Sequence, residues 1–120
     1  KVKAIMAEYL KDVHYYPYLF KLYKEPYASV DNPKIKIELD ELAKKIEENH
    51  YLLLLNLSDN DDNKELNDCI INCVTWINSM EKQWEINKYK FYYKDTVVSN
   101  LTRVSRDYFK REWDRAKKGK

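Results

Sequence analysis

Glycine and proline are scarce in this sequence, and their scarcity excludes most β-architectures. The 120 residues include one glycine, Gly119, and three prolines. Tight hairpins depend on turns such as Asn-Gly and Asp-Gly, and neither pair occurs in the chain. We therefore predict an all-α fold, an antiparallel bundle of three to four helices, in a single domain over residues 1–120.

Long apolar runs and a strong excess of one charge are also missing. The longest apolar run, Tyr51–Leu55, is far below the roughly 20 residues of a membrane span, so we expect no membrane partner. The first twelve residues carry charges throughout, unlike a signal peptide. The formal net charge of +2 does not by itself indicate nucleic acid. The chain opens and closes on lysine without a starting Met, which suggests a piece excised from the C-terminal part of a larger protein.

Apolar residues recur every three or four positions in four segments, a spacing that predicts the inner faces of four helices. The four stripes are Val2, Ile5, Met6, Tyr9, Leu10 and Val13; Ile35, Leu39, Leu42, Ile46, Leu53 and Leu57; Leu66, Cys69, Ile70, Cys73, Trp76, Ile77, Met80 and Trp84; and Val98, Leu101, Val104 or Ser105, Tyr108 and Trp113. Pro17 lacks an amide proton, so it is expected to stop or kink the first helix.

Polar residues at the segment boundaries predict where the later helices begin. Asp31 and Asn32 are suitable N-caps before Pro33, and Asp62 with Glu65 resembles a capping box. Asp95 or Thr96 is the candidate cap of the last helix. Two ion pairs in the favourable i,i+4 order, Asp40–Lys44 and Glu41–Lys45, are expected on the outer face of the second helix.

Cys69 and Cys73, four residues apart, raise three alternatives: a metal site, a redox pair, or part of the core. An i,i+4 pair within one helix has poor geometry for a disulfide. A structural zinc site needs four ligands, and the two histidines, His14 and His50, belong to different helices. We interpret the thiols as small core hydrophobes, which is how buried cysteines behave.

No motif typical of an active site occurs in the sequence. A glycine-rich phosphate loop, a nucleophile elbow and an HExxH pair are all missing. The paired carboxylates, Glu47 with Glu48 and Asp61 with Asp62, fall on a solvated face and in a turn. His14 stands beside tyrosines and is interpreted as a core or rim histidine. We therefore expect no enzymatic activity and no catalytic, cofactor-binding or metal-binding residues in this chain.

The segment KYKFYYK, Lys88–Lys94, interleaves cations with aromatic rings. Such segments can stack bases and follow a phosphate backbone. The competing interpretation is a loop whose rings fold back onto the core, and the acidic clusters elsewhere favour it. The basic end of the last helix complements the helix dipole. Binding of nucleic acid is thus the less favoured hypothesis.

Three passages together resemble the C-terminal α-helical lid of the large heat-shock chaperones, the one-hundred-ten and one-hundred-seventy kilodalton relatives of the seventy-kilodalton class. They are LFKLYKEPYASVDNPKIKIELDELAKKI at Leu19–Ile46, LNDCIINCVTWIN at Leu66–Asn78, and DTVVSNLTRVSRDYFKREWDRAKKGK at Asp95–Lys120. The likeness covers the chain from Leu19 onward. It departs from the family at Thr96, where the family has proline before the Val-Val pair.

The resemblance implies a non-catalytic lid that supports client holding and nucleotide exchange through protein–protein contact. Its expected partners are a seventy-kilodalton-class chaperone and unfolded clients, and ATP would bind only in the parent protein. The expected compartment is the endoplasmic reticulum or the cytoplasm, and the basic tail favours the former. The alternative is a helical interaction module, an adaptor from an unrelated exported or cytoskeletal protein.

Overall fold

The computed structural model describes residues 2–25, 31–58, 60–87 and 96–119. Within these ranges the chain is helical and contains no strand, which confirms the all-α prediction. The helices are α1 (Val2–Lys24), α2 (Asn32–Asn56), α3 (Lys64–Asn78), α4 (Met80–Asn87) and α5 (Thr96–Lys118), and a 3-10 turn at Asp61–Asn63 precedes α3. The described part of the chain thus has five α-helices instead of three to four, because the stripe from Leu66 to Trp84 is divided at Ser79.

Helices α1 and α2 form an antiparallel hairpin. The Asn32 side chain at the start of α2 donates a hydrogen bond to the Tyr23 carbonyl near the end of α1, at 2.8 Å. Farther along α2, the Lys45 ammonium lies 2.6 Å from the Glu8 carboxylate near the start of α1. Because residue numbers rise on one helix as they fall on the other, the two helices run in opposite directions.

Helices α3 and α5 pack in the same antiparallel manner. Arg103 lies 3.5 Å from Glu65 in the first turn of α3, and Arg115 lies 3.2 Å from Asp62 in the preceding turn. Helix α5 also packs on α1, and α3 packs on α2, so these four helices enclose one core. The predicted antiparallel bundle is consistent with these contacts.

The C-terminal half of α5 extends beyond the other helices. The molecule is 59 Å long, whereas a helix of 23 residues spans about 35 Å. Ser105 is the last buried residue of α5, and none of residues 106–119 is buried. This overhang explains why Trp113, predicted to belong to the core stripe, is instead 65% exposed. Apart from that residue, the predicted stripe of α5 is buried or half-buried.

The core is formed by residues from the predicted stripes of all four segments, together with Leu19 and Phe20 of α1. Its most deeply buried members are Met6, Tyr9, Val13, Leu19, Ile46, Leu53, Leu66, Ile70, Cys73, Met80 and Leu101. Tyr9 is fully buried, and its hydroxyl donates a hydrogen bond of 3.1 Å to the Ile70 carbonyl of α3. Burial of this hydroxyl, with Cys73 nearby, raises the pKa of Tyr9 far above its ordinary value.

Pro17 lies inside α1, which continues to Lys24, so of the two expected outcomes, a stop or a kink, the stop is excluded. Proline in a helix interior costs about 3 kcal/mol because one backbone hydrogen bond is lost. Leu19 and Phe20, in the turn after Pro17, are both buried, and the Phe20 ring meets Trp84 edge-on at 6.3 Å between centroids. Burying two such side chains contributes about 3–6 kcal/mol, enough to keep the helix continuous.

Two boundary predictions have opposite outcomes. Asp31 is the N-cap of α2, where its Oδ1 accepts a hydrogen bond of 3.2 Å from the Lys34 amide, as predicted. The Asp62 capping box is wrong, because Asn60 caps the 3-10 turn before α3 and Asp62 binds Arg115 instead. Asp95 and the KYKFYYK segment lie outside the described residues, and α5 begins at Thr96.

The ion pairs predicted within α2, Asp40–Lys44 and Glu41–Lys45, are also wrong. Lys45 binds Glu8 on the neighbouring helix, and Asp40 binds Lys36 one turn earlier at 2.8 Å. Sequence spacing reveals pairs along one helix, but it does not reveal a carboxylate that packing brings from another helix. The Lys45 pair therefore joins α1 to α2 instead of stabilising α2 alone.

Candidate functional site

The outer face of α1 carries a stripe of side chains that the bundle leaves exposed. Lys11, His14, Tyr15 and Tyr18 follow the i, i+3, i+4, i+7 spacing of a single helical face. The core-facing residues of α1 lie on the other side of the helix, so this stripe points away from the core. Helices α2 and α5 flank it, and each forms one concave surface with it.

A groove of about 600 Å³ lies between this stripe and α2; we call it the tyrosine groove. Its lining residues are Lys11, Asp12, His14, Tyr15, Tyr18 and Leu42. The Tyr15 and Tyr18 rings stack with centroids 6.1 Å apart, and they are 39% and 63% exposed. The Tyr15 hydroxyl donates to Glu38 of α2 at 3.2 Å, a contact that fixes one ring. The groove is therefore largely aromatic and partly preorganised.

Asp12 is a buried carboxylate at this groove. The residue is 4% exposed, and its Oδ2 atom has no hydrogen-bond partner among the described residues. Burial raises the pKa of Asp12, although the positive charges of Lys11 and Lys45 act in the opposite direction. Incompletely paired buried charges reduce stability, and they concentrate at binding and catalytic sites.

The other side of the stripe forms a cleft with α5, which we call the arginine cleft. It has a volume of about 370 Å³ and is lined by His14, Val98, Ser99, Thr102, Arg103 and Arg106. The four polar residues from α5 again follow the spacing of one helical face. Among the described residues, no carboxylate lines the cleft. His14 borders both the cleft and the tyrosine groove, so the two surfaces are continuous around α1.

A smaller cavity of about 160 Å³ lies between α2 and α3, beside His50. This histidine is 8% exposed, and its Nδ1 atom has no hydrogen-bond partner among the described residues. Burial lowers the pKa of His50, and the backbone of Ile70 and the charge of Glu47 act in the opposite direction. His50 is thus a buried histidine of the core, on a different helix from His14.

The two cysteines are free thiols with unequal burial. Cys73 is fully buried in the core, as predicted, and Cys69 is half-buried at its edge. Burial raises the pKa of the Cys69 thiol, which disfavours its nucleophilic thiolate form. In the part of the chain that the structure describes, no group of three or more His, Cys, Asp or Glu residues is arranged to hold a metal ion.

Of the carboxylate pairs noted in the sequence, Glu47 lines the cavity beside His50, where its negative charge opposes the lowering of the pKa of that histidine. Glu47 and Glu48 are exposed on α2, and Asp61 and Asp62 are exposed in the 3-10 turn. Across residues 2–25, 31–58, 60–87 and 96–119, the structure has no helix that is both long and apolar enough to cross a bilayer. The groove and cleft around His14 are the strongest candidate for a functional site.

Neither concave surface is predicted by the sequence. The tyrosines around His14 are a visible signal, but the sequence alone favours only a core or rim position for that histidine. The polar stripe of α5 was equally visible, yet nothing in the sequence shows that it faces His14, more than eighty residues away. Comparison of the chain with protein-family models, with curated proteins and with solved structures finds no match in any of the three.

Proposed function

We propose that this bundle is a non-catalytic protein-interaction module, and that the tyrosine groove holds a segment of its partner. The observation that carries the proposal is the groove itself, a concave surface lined by two stacked tyrosine rings and Leu42. Tyrosine is enriched at protein interfaces because its ring supplies a large contact area and its hydroxyl a hydrogen bond. Tyr18 is the most exposed aromatic residue lining the groove and is the expected anchor contact.

The expected occupant is a segment with one apolar side chain and a neighbouring negative charge. Leu42 and the two tyrosine rings provide the apolar surface for the side chain. The negative charge is expected because Lys11 lies in the groove, and Arg103 and Arg106 lie beyond His14. Complementary charge steers association and selects among partners. A rigid helical scaffold also keeps the entropic cost of forming such a contact low.

The test is a selection of peptides from a random displayed library, with binding then measured on purified variants. Tyr18→Ser removes the exposed ring and should weaken the selected peptides by about tenfold or more. Tyr51→Ser is the matched control, since Tyr51 is 62% exposed on α2 and lies outside the groove. Peptides that bind both variants as tightly as the wild-type protein would refute the proposal, as would a selection that yields no binding peptide.

The resemblance to the lid of large heat-shock chaperones supports a more specific form of the proposal. In that form, the bundle contacts a seventy-kilodalton-class chaperone and unfolded clients, in the endoplasmic reticulum or the cytoplasm. The test measures nucleotide release from a purified seventy-kilodalton chaperone with and without the bundle, and aggregation of a denatured client. Acceleration of release would support the lid function, whereas unchanged release and unchanged aggregation would leave the adaptor alternative.

A further inference from the structure

We propose that the arginine cleft binds the phosphate group of a phosphorylated side chain in the partner segment. The inference rests on the proposed function, because the tyrosine groove would hold the same segment. The two surfaces share His14, and one helix diameter of about 10 Å separates them. A segment of a few residues that crosses α1 at His14 can therefore occupy both.

The donors of the cleft suit a phosphate dianion. Arg103 and Arg106 are three residues apart on α5, so their guanidinium groups emerge from the same face. A guanidinium presents a planar fork of N–H donors that matches two phosphate oxygens. Ser99 adds an exposed hydroxyl one turn before Arg103. The Thr102 hydroxyl donates to the Val98 carbonyl at 2.8 Å, so the two arginines and Ser99 are the donors on α5.

These cations are poorly neutralised within the bundle. Arg106 makes no ion pair or hydrogen bond with any residue in the described ranges. Within the described part of the chain, Arg103 reaches only Glu65, at 3.5 Å, which is longer than a normal charge-assisted hydrogen bond. Two like charges three residues apart on a helix repel each other. A bound dianion would relieve that repulsion, and it needs to displace only one long contact.

The surroundings favour a phosphorylated protein segment over a phospholipid headgroup. Asp107 is exposed and follows Arg106 on α5, so its carboxylate would repel an anionic bilayer brought against this surface. The cleft volume of about 370 Å³ lies near the lower limit for small-molecule sites, which suits one phosphorylated side chain. The adjoining aromatic groove gives the flanking residues of a peptide a surface to contact.

The first experiment titrates N-acetyl-O-phosphoserine amide into the labelled bundle and follows backbone amide shifts. Saturable shifts should appear at residues 98–106 with a dissociation constant on the order of 1 mM. Arg106→Gln should weaken binding by about tenfold, and Arg106→Lys, which keeps the charge but loses the fork, by less. Lys110→Gln is the control because it removes one positive charge outside the cleft. If the Arg106→Gln and Lys110→Gln variants bind the phosphoserine probe with equal affinity, the arginine cleft is not its binding site.

A second pair of variants tests the cleft without removing an arginine. Ser99→Asp places a carboxylate beside Arg103 and should abolish binding of the phosphoserine probe. Ser99→Asn, similar in size but uncharged, should keep the affinity within about threefold of the wild-type value. Ser99 is exposed, so neither change should affect folding. Loss of binding in both variants, or in neither, would contradict the proposed role of the cleft.

The final experiment links the cleft to the groove. Peptides selected for Tyr18-dependent binding are resynthesised with phosphoserine at each position in turn. At one position the phosphate should increase affinity by about tenfold, and in the Arg106→Gln variant the phosphorylated and unphosphorylated forms of that peptide should bind with similar affinity. No gain at any position would overturn this inference and leave the proposed function standing. Tighter binding to phosphoinositide-containing vesicles than to any phosphopeptide would also overturn it.

Discussion

Removal of one buried hydroxyl, by Tyr9→Phe, tests the packing of α1 against α3. The substitution keeps the fully buried ring and deletes only the hydrogen bond of 3.1 Å to the Ile70 carbonyl. Ile70 lies inside α3, so its carbonyl retains its helical partner and is not left unpaired. We therefore expect the free energy of unfolding at neutral pH to fall by about 1 kcal/mol, the net value of one buried hydrogen bond.

The difference in the free energy of unfolding between the Tyr9→Phe variant and the wild-type protein should change sign at high pH. Burial raises the folded-state pKa of Tyr9 above the ordinary value of 10.0. Above that pH the unfolded chain loses the Tyr9 proton while the folded protein keeps it, so wild-type stability falls as the pH rises. The loss approaches about 1.4 kcal/mol per pH unit. The stabilisation of about 1 kcal/mol from the Tyr9 hydrogen bond is then cancelled at pH ~10.7. Above that pH the variant becomes the more stable protein.

The assay is urea unfolding followed by far-UV circular dichroism, from neutral pH to about pH 11. The other ten tyrosines are the same in both proteins, so their titration cancels in the difference. Tyr51→Phe, which alters an exposed ring, should differ from the wild-type protein by less than about 0.5 kcal/mol at every pH. A Tyr9→Phe difference that stays constant across this pH range would refute the burial of the hydroxyl.

Three further perturbations examine other parts of the bundle. Asp12→Asn should raise the free energy of unfolding at neutral pH by about 1 kcal/mol. Because the pKa of Asp12 is raised in the folded protein, the stability of the wild-type protein should fall as the pH rises through the acidic range. The variant has no carboxyl group at this position and should not show that fall. Cys73→Ser should cost roughly 1–3 kcal/mol and Cys69→Ser much less, and a thiol reagent should modify Cys69 first and Cys73 only after unfolding. Arg111→Ala removes a contact of 3.1 Å to the Asp62 carbonyl; amide hydrogen exchange in the overhang should accelerate, while the free energy of unfolding changes by less than about 0.5 kcal/mol.

The periodicity of the sequence was sufficient to predict the helices and most of the core. Leu101 and Ile70 lie where the three-and-four spacing placed them, because burial of one face dominates helix stability. The division at Ser79 was not predicted, since the apolar stripe continues across it in register. The prediction that Trp113 belongs to the core was wrong for another reason. Its spacing is that of a core residue, but α5 is longer than the surface it packs against.

The spacing of apolar residues does not predict features that depend on which helices pack against each other. Asn49 and His50, between Ile46 and Leu53, are buried although their polarity gave no sign of it. Lys45 pairs with Glu8 because α1 lies beside α2, a neighbour that spacing within α2 does not reveal. The arginine cleft has the same origin. The sequence shows that its α5 residues form a polar stripe. It does not show that packing places them opposite His14 of α1.

We propose that the outer stripe of α1 is the binding surface of this bundle. Backbone amide shift mapping with a library-selected peptide tests it most directly, because each residue reports separately. We expect shifts at residues 11–18, around Leu42 and along residues 98–106, with none at Tyr51. Shifts confined to the α5 overhang or to the exposed face of α4, with residues 11–18 unchanged, would contradict the claim.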